Sequence, residues 1–340
     1  MSPDRPLSPA VAEVRLAVRR ALAALAQPGA ATAPLAGGVG GTVVVALSGG
    51  ADSLALAAAT AFEAPKLGMT VVAGVVDHGL QDGSPEIAAA VARAAEALGL
   101  PARVLRVTVR ADHPGGPEAA AREARYAALE ELGDELGAVG ILLGHTLDDQ
   151  AETVLLGLAR GSGAASLQGM AAVSGRRIRP LLGVRRATTR AFCADSGLEP
   201  WEDPHNTDPR FARVRVRTSV LPVLEAELGP GVAEALARTA EQLREDAEAF
   251  AEMIDETIED IVEHAEAGIS VSAAALAANP AALRNRIIRH VVASEFGTSL
   301  TRAQTLEVAR LVTDWSGQGP IDLPGCRARR AGGRIVFEAA

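Results

Sequence analysis

The chain predicts an α/β fold: a doubly wound parallel sheet followed by a helical connector and a small α+β C-terminal domain. Three observations carry that expectation. Between Thr42 and Leu143 short apolar runs alternate with helical patterns, the arrangement of a parallel sheet covered on both faces. The first of these runs, Val43-Val44-Val45-Ala46-Leu47, passes straight into Ser48-Gly49-Gly50-Ala51-Asp52-Ser53 and then into an alanine- and leucine-rich helix. From about Thr218 the alternation stops, and a long acidic helical pattern precedes short β runs.

Element by element, Val14, Leu16, Val18, Leu22 and Leu25 recur at helical spacing and predict an amphipathic helix over Val11–Leu25, followed by an Ala/Pro/Gly-rich linker to residue 41. Strands are expected at Thr42–Leu47, Met69–Val76, Arg103–Val109 and Val139–Leu143. The helices between them are expected at Leu54–Ala59, Pro85–Leu98 and Glu118–Leu136. Glu225–Ala265 reads as helix, because Ala240, Leu243, Ala247, Phe250, Ile254, Ile258 and Ile261 step by three or four. A helix over Ala281–Glu295 precedes an all-β tail around Ile321, Leu323 and Ile335-Val336-Phe337. The domain expectation is therefore an N-terminal helix and linker (1–41), a catalytic domain (42–217), a helical connector (218–265) and a C-terminal module (266–340).

Composition narrows the class. At 340 residues the chain exceeds the size of one ordinary core, and with 48% hydrophobic but 3% aromatic residues its interior must be packed by Ala, Val and Leu. Cys193 and Cys326 stand alone, without C-x-x-C or ligand spacing, which argues against structural zinc, iron–sulfur clusters or a disulfide framework. A reducing cytoplasm fits this usage. No basic-then-apolar leader and no run of about 18 apolar residues is present, so a soluble protein is expected, with no membrane partner. The formal charge of −9 hides an uneven distribution: from Arg176 to Arg217 ten arginines face five acids. A phosphate backbone can dock on such a segment. An arginine-rich codon bias would produce the same excess, since Lys66 is the only lysine.

Chemistry is concentrated in a few motifs. Glycines after a buried strand bring backbone N–H groups close to anionic oxygens, and the following helix turns its positive end toward them, so Ser48–Ser53 is expected to cradle a triphosphate or pyrophosphate. The loop G-x-x-x-x-G-K-[ST] is excluded for want of its lysine, and G-x-G-x-x-G is excluded because Gly37–Gly41 precede the strand. In Gly144-His145-Thr146-Leu147-Asp148-Asp149-Gln150-Ala151-Glu152-Thr153, helical spacing places His145, Asp149 and Glu152 on one face with Asp148 a step aside. Such a set can hold Mg²⁺ through oxygen or grip a cationic amine, while acids in a first helical turn also simply complement the helix dipole. In Glu118-Ala119-Ala120-Ala121-Arg122-Glu123-Ala124-Arg125-Tyr126, Arg122 and Arg125 share a face; phosphate contact and plain pairing, as of Glu118 with Arg122, are both open. Asp77-His78 reads either as a nucleotide contact or as a helix-start device.

Taken together these motifs resemble one family. The order S-G-G-A-D-S, V-D-H-G-L (Val76 to Leu80), A-R-E-A-R-Y, G-H-T-L-D-D-Q-A-E-T and L-A-R-G-S-G (Leu158 to Gly163) is similar to that of the tRNA(Ile)-lysidine synthase family of N-type ATP pyrophosphatases, the PP-loop family. Arg179-Pro180-Leu181-Leu182, Trp201-Glu202-Asp203-Pro204-His205-Asn206 and the tail Ile321 to Cys326 follow the same pattern. A run usually reading R-N-x-x-R is here Arg213-Val214-Arg215-Val216-Arg217.

The resemblance implies an adenine nucleotide alpha hydrolase-like fold and an ATP- and Mg²⁺-dependent ligation of free L-lysine to C2 of the wobble cytidine of a CAU-anticodon tRNA(Ile), through an adenylated cytidine. Lysidine would then read AUA in place of AUG. It implies ATP binding by Ser48, Gly49, Gly50, Ala51, Asp52, Ser53, Asp77 and His78, and a metal held by Asp52 with Asp148 or Asp149. Asp149 and Glu152 would orient the lysine, and Asp52, Arg125, His145, Asp149 and Glu152 form the catalytic set. Arg122, Arg160, Arg179, Arg213, Arg215 and Arg217 would hold tRNA, and a homodimer is carried as an expectation. Rival readings are another PP-loop tRNA modifier such as a cytidine thiolase, an amide-forming synthetase, or a non-catalytic RNA-binding descendant.

Overall fold

A computed structural model describes residues 8–27, 40–79, 83–110, 112–113, 116–161, 163–203, 207–265 and 268–340. Leu80, Ser162, Pro204, His205 and Asn206 of the motifs, the side chain of Glu118 and residues 28–39 of the linker lie outside the described residues. The chain forms two compact units, Met1–Leu243 and Arg244–Ala340, so the division falls inside the stretch expected to be a connector.

In the first unit, β1 (Thr42–Ala46), β2 (Thr70–Asp77), β3 (Ala102–Arg106), β4 (Gly140–Leu142), β5 (Val173–Ser174) and β6 (Arg177–Ile178) form one sheet in the order β3-β2-β1-β4-β6-β5. All pairings are parallel except the edge hairpin β5–β6, which the sequence reading did not foresee and which makes the sheet mixed. Alternation of side chains across the strands builds two interiors. Val43, Val45, Val71, Ala73, Val75 and Leu142 face one layer with α1 (Pro9–Leu25), α2 (Ala51–Glu63), α3 (Ser84–Ala97) and α7 (Arg186–Asp195). Val44, Ile141 and Leu143 face the other with Leu129 and Leu132 of α4 (Gly116–Glu135). The doubly wound expectation holds for this reason. Strands 1 to 3 are laid down in one direction and β4 returns to the other side of β1, so the order reverses between β1 and β4. Ligand crevices form beyond strand ends at such a point.

The N-terminal helix belongs to this interior: Val14, Val18 and Leu22 are fully buried, and the Glu63 carboxylate at the end of α2 bonds Arg19 of α1 at 2.9 and 3.1 Å. Further on, α5 (Leu147–Arg160) and the short α6 (Ala164–Leu167) precede the hairpin. α8 (Ala212–Arg215) leads through one widened turn, Val216–Val220, into α9 (Leu221–Leu228). Pro222 has no N–H and its ring crowds the carbonyl four residues back, a local reason for the i→i+5 bond from Leu221 to Val216.

Two expectations are corrected here. Glu225–Ala265 is not one helix: Gly229-Pro230-Gly231 ends α9, α10 (Val232–Ile261) restarts with the Glu225 carboxylate accepting from Gly231, Val232 and Ala233, and Val262–Ala265 is strand β7. The Arg103–Val109 strand stops at Arg106. In the second unit β7, β8 (Gly268–Ser272), β9 (Ile321–Leu323), β10 (Cys326–Ala331) and β11 (Arg334–Ala339) form an antiparallel sheet in the order β7-β8-β11-β10-β9. It packs with α11 (Ala273–Ala278), α12 (Ala281–Phe296) and α13 (Arg302–Thr313) around Leu276, Ile287, Ile288, Leu311, Ile335 and Phe337. Helix α13, opened by a Thr301/Gln304 capping box, and strand β8 were not legible as such. Among the described residues no helix is long and apolar enough to cross a membrane.

Because Leu22 is fully buried against the sheet layer, Leu22→Ala is expected to destabilise the chain by about 2–5 kcal/mol. A urea-unfolding midpoint indistinguishable from wild type would show that α1 is not part of this core.

Candidate active site

The end of β1 opens into the phosphate-cradle turn. Leu47 N–H still bonds Gly74 O at 2.9 Å, and Gly49 then takes φ +87°, a left-handed conformation that costs glycine nothing. A Cβ there would also lie 2.6 Å from Val91 Cγ2. The turn is closed by hydroxyls: Ser53 Oγ accepts from Ser48 N at 3.2 Å, lies 3.1 Å from Ser48 Oγ and donates to Gly50 O at 3.0 Å. Gly50 caps α2, so the free first-turn amides of that helix face the same space.

At the neighbouring strand end, the loop after β4 lies against this turn. A Cβ on Gly144 would sit 3.0 Å from Ser53 N and Cα, so glycine is what permits the two loops to touch. Thr146 caps α5 by a capping box, with Thr146 N and Oγ1 each 2.8 Å from Asp149 Oδ2. An open cleft of about 960 Å³ results, lined among others by Ser48, Gly50, Ala51, Asp52, Ser53, His78, Arg125, His145, Asp149 and Trp201.

The electrostatics centre on a residue the sequence reading did not single out. Arg186, the first residue of α7, reaches Asp149 Oδ1 at 2.7 Å, Glu152 Oε1 at 3.0 Å and Asp52 Oδ2 at 3.5 Å. Its backbone N–H donates to Asp148 Oδ2 at 2.7 Å. Arg217 adds bonds to Glu152 at 2.7 and 3.1 Å and to Asp149 at 3.3 Å, and Arg213 lies 3.9 Å from Glu152. Asp52 also accepts from the Thr189 hydroxyl.

The ionisation states follow. Burial alone would raise Asp149, but Arg186 and the Thr146 bonds hold it below the ordinary carboxylate range. Burial pushes Asp52 up, against Thr189 and Arg186, and the Asp149 charge adds to the rise. His145 is pushed down to about 3 by burial, with Arg122, Arg179 and Arg125 also disfavouring its cation against the pull of Asp149. It is therefore a neutral imidazole, and its buried Nδ1 makes no hydrogen bond among the described residues. Burial and Asp52 raise Cys193, which lines the same cleft, to about 11, so it stays a thiol.

Not every expected residue converges. Asp77 turns away to accept from Gly79 N at 3.1 Å and Ser84 Oγ at 2.6 Å, latching the start of α3, while His78 lines the cleft. Asp148 is drawn out of the metal set, its oxygens bonded by Arg185 at 3.1 and 3.3 Å and by Arg186 N. Glu152 is fully buried one turn below Asp149. Among the arginines, Arg125 lines the cleft, and Arg122 and Arg125 lie 4.9 and 5.7 Å from the Tyr126 ring. Arg160 is exposed at the end of α5, and Arg215 is exposed but holds Pro209 O and Arg210 O at 2.7 and 2.9 Å. The expectation that Arg179 faces RNA is corrected: it is buried and spends Nη1 on Ala171 O at 2.8 Å. Arg186 was visible only as one member of an arginine-rich stretch, because its partners Asp149 and Glu152 lie 37 and 34 residues away and Asp52 lies farther still. Removing it leaves buried carboxylates short of charge, so Arg186→Ala is expected to cost about 3–5 kcal/mol. Adding Glu152→Gln should recover part of that loss; strictly additive losses in urea unfolding would mean the two side chains do not interact.

Comparison with known proteins follows the same division of the chain. Residues 22–224 match the profile of the PP-loop domain, and residues 272–336 that of the TilS substrate binding domain. A tRNA(Ile)-lysidine synthase from Leifsonia xyli is 61% identical over 299 residues, 88% of this chain and 90% of that protein. One from Thermobifida fusca is 50% identical over 334 residues, 97% of this chain and 98% of that protein. Among solved structures, the U34-tRNA thiolase NcsA from Methanococcus maripaludis with its [4Fe-4S] cluster superposes with a TM-score of 0.55 at 20% identity, over 69% of this chain and 80% of that one, a likeness of fold. With a PP-loop domain over more than half its length and near full-length relatives at 50% identity or more, this chain belongs to the PP-loop family and, within it, to the tRNA(Ile)-lysidine synthases.

Proposed function

We propose that the cleft ligates free L-lysine to C2 of the wobble cytidine of a CAU-anticodon tRNA(Ile), consuming ATP and releasing AMP and pyrophosphate, in the cytoplasm. The observation that carries this reading is the meeting of a phosphate-cradle turn and the Asp149 carboxylate in one cleft at the sheet's switch point, with Glu152 buried behind Asp149 and joined to it through Arg186. ATP is bound with its phosphates against the Ser48–Ser53 amides and hydroxyls. The C2 oxygen of a flipped cytosine attacks the α-phosphorus, the bond to the β-phosphate oxygen breaks, and pyrophosphate leaves. An amine of lysine then attacks C2, a proton is lost from nitrogen, and the C2–O bond breaks to release AMP.

The chain's own groups suit each step. Arg125 at the cleft wall offsets charge developing on the phosphorus. Asp149, held by Arg186 and Arg217, offers a carboxylate oxygen that orients the amine and helps take its proton, while the buried Glu152 fixes the same two arginines behind it. Mg²⁺ fits a smaller set than expected. Among the described residues no three His, Cys, Asp or Glu are grouped to hold a metal, but a phosphate-bound Mg²⁺ needs only one or two carboxylates, and Asp52 and Asp149 line the cleft close enough that the Asp149 charge pushes Asp52 up. They would hold the ion, which would neutralise the triphosphate and the leaving pyrophosphate. Of the arginines expected to hold tRNA, Arg160 and Arg215, both exposed, are the most open to its backbone. Whether the chain is a monomer or a homodimer enters none of these steps. A thiolase using an iron–sulfur cluster is disfavoured, since the chain has two cysteines, both buried, one in each unit.

Incubation with ATP, Mg²⁺, lysine and a CAU-anticodon tRNA(Ile) transcript, followed by digestion and mass spectrometry, is expected to show one cytidine gaining a lysyl increment; an unmodified cytidine would overturn the reading. Asp52→Ala is expected to abolish pyrophosphate release while tRNA affinity stays within about twofold. Equal loss of both would mean Asp52 serves the RNA and not the nucleotide. Glu152→Gln should still release pyrophosphate yet form little lysidine, separating the two half-reactions in one assay.

A further inference from the structure

The chain carries two tryptophans and one tyrosine. Tyr126 and Trp201 line the cleft, but Trp315 lies in the other unit and remains 40% exposed, outside that unit's apolar core. The loop that carries it is closed on itself: Ser316 N donates to Gln318 Oε1 at 2.8 Å, Gln318 Nε2 to Asp314 O at 2.5 Å, and Thr313 Oγ1 to Asp314 Oδ2 at 2.6 Å. The Arg330 guanidinium lies 5.5 Å from the indole centroid and is itself fixed by a 2.9 Å bond to Leu311 O. An indole held out of the core by an ordered loop and flanked by a fixed guanidinium is a flat, pre-organised surface. Residues 272–336 hold nine arginines and four acids, of which Arg327, Arg329 and Arg334 are paired with Asp322, Glu338 and Glu263.

Such a surface suits a nucleobase. Unpaired RNA bases stack on aromatic rings and arginine planes, and an arginine against the ring adds cation–π attraction. We propose that Trp315, braced by Arg330, is a stacking platform for an unpaired or helix-terminal base of the tRNA. This rests on the reading of tRNA as substrate. Stacking neutralises no phosphate, so Trp315 contributes affinity without contributing to the salt dependence, whereas an arginine that meets a phosphate contributes to both.

The test measures binding and turnover of the full chain with the same tRNA(Ile) transcript. Trp315→Ala is expected to weaken binding about 10-fold with an unchanged salt slope, to raise KM for tRNA by a similar factor and to leave kcat unchanged at saturating tRNA. Trp315→Phe should restore most of the affinity, and both variants should unfold at the wild-type urea concentration. In a Trp201→Phe background, where Trp315 is the sole tryptophan, saturating tRNA should quench its emission. Affinity within twofold of wild type for Trp315→Ala, or emission that tRNA leaves unchanged, would overturn the proposal and leave a protein partner or a purely structural role for this surface. Failure of the wild-type chain to form lysidine would instead count against the function proposed above, since binding and quenching are read without turnover.

Discussion

The site depends on one charge balance. Asp52, Asp149 and Glu152 are brought together where β1 and β4 end, and the guanidinium of Arg186 lies within 3.5 Å of a carboxylate oxygen from each of them. Carboxylates withdrawn from water at such spacing repel one another and would protonate or separate without a counter-charge. Arg217 and Arg213 complete the balance around Glu152, the most deeply buried of the acids. The six arginines that sequence reading assigned to RNA thus divide: Arg213 and Arg217 face the acids, Arg122 lies against the Tyr126 ring, Arg179 is interior, and Arg160 and Arg215 stay at the surface.

That arrangement explains what could be read beforehand. The sheet was legible because Val43-Val44-Val45 must bury both faces, and the order of apolar runs and helical patterns leaves few parallel topologies. The Ser48–Ser53 turn was legible because it is local, its partners lying within five residues. The limits were equally physical. Arg186 and Thr189 act on groups far off in sequence, and nothing in their own neighbourhood marks them. Asp148 and Asp149 look equivalent along the chain, and it is Arg185, the residue capping α7, that draws Asp148 aside. Length of pattern also misled: the apolar stepping through Ile261 continues smoothly to the last residue before a strand, so periodicity alone could not announce β7.

The two cysteines illustrate how position decides chemistry. Cys193 borders the nucleotide turn, 3.5 Å from Ala51 O, yet burial and the nearby Asp52 charge keep its sulfur protonated, so it packs as a small apolar group. Cys326 fills the core of the other unit. A PP-loop scaffold alone therefore says little about which atom is transferred; the groups around the cleft decide it.

Lys66 stands out in the same light. It is the chain's only lysine side chain, and its ammonium lies 3.1 Å from the buried Glu63 carboxylate and 3.5 Å from the centre of the Phe62 ring, at the far end of α2 from the nucleotide turn. Both neighbours hold it there, and it does not line the cleft. An electrophilic nucleobase generated in the cleft would thus meet no side-chain nucleophile of this type from the protein itself, and self-labelling of the catalyst is avoided by composition as much as by geometry.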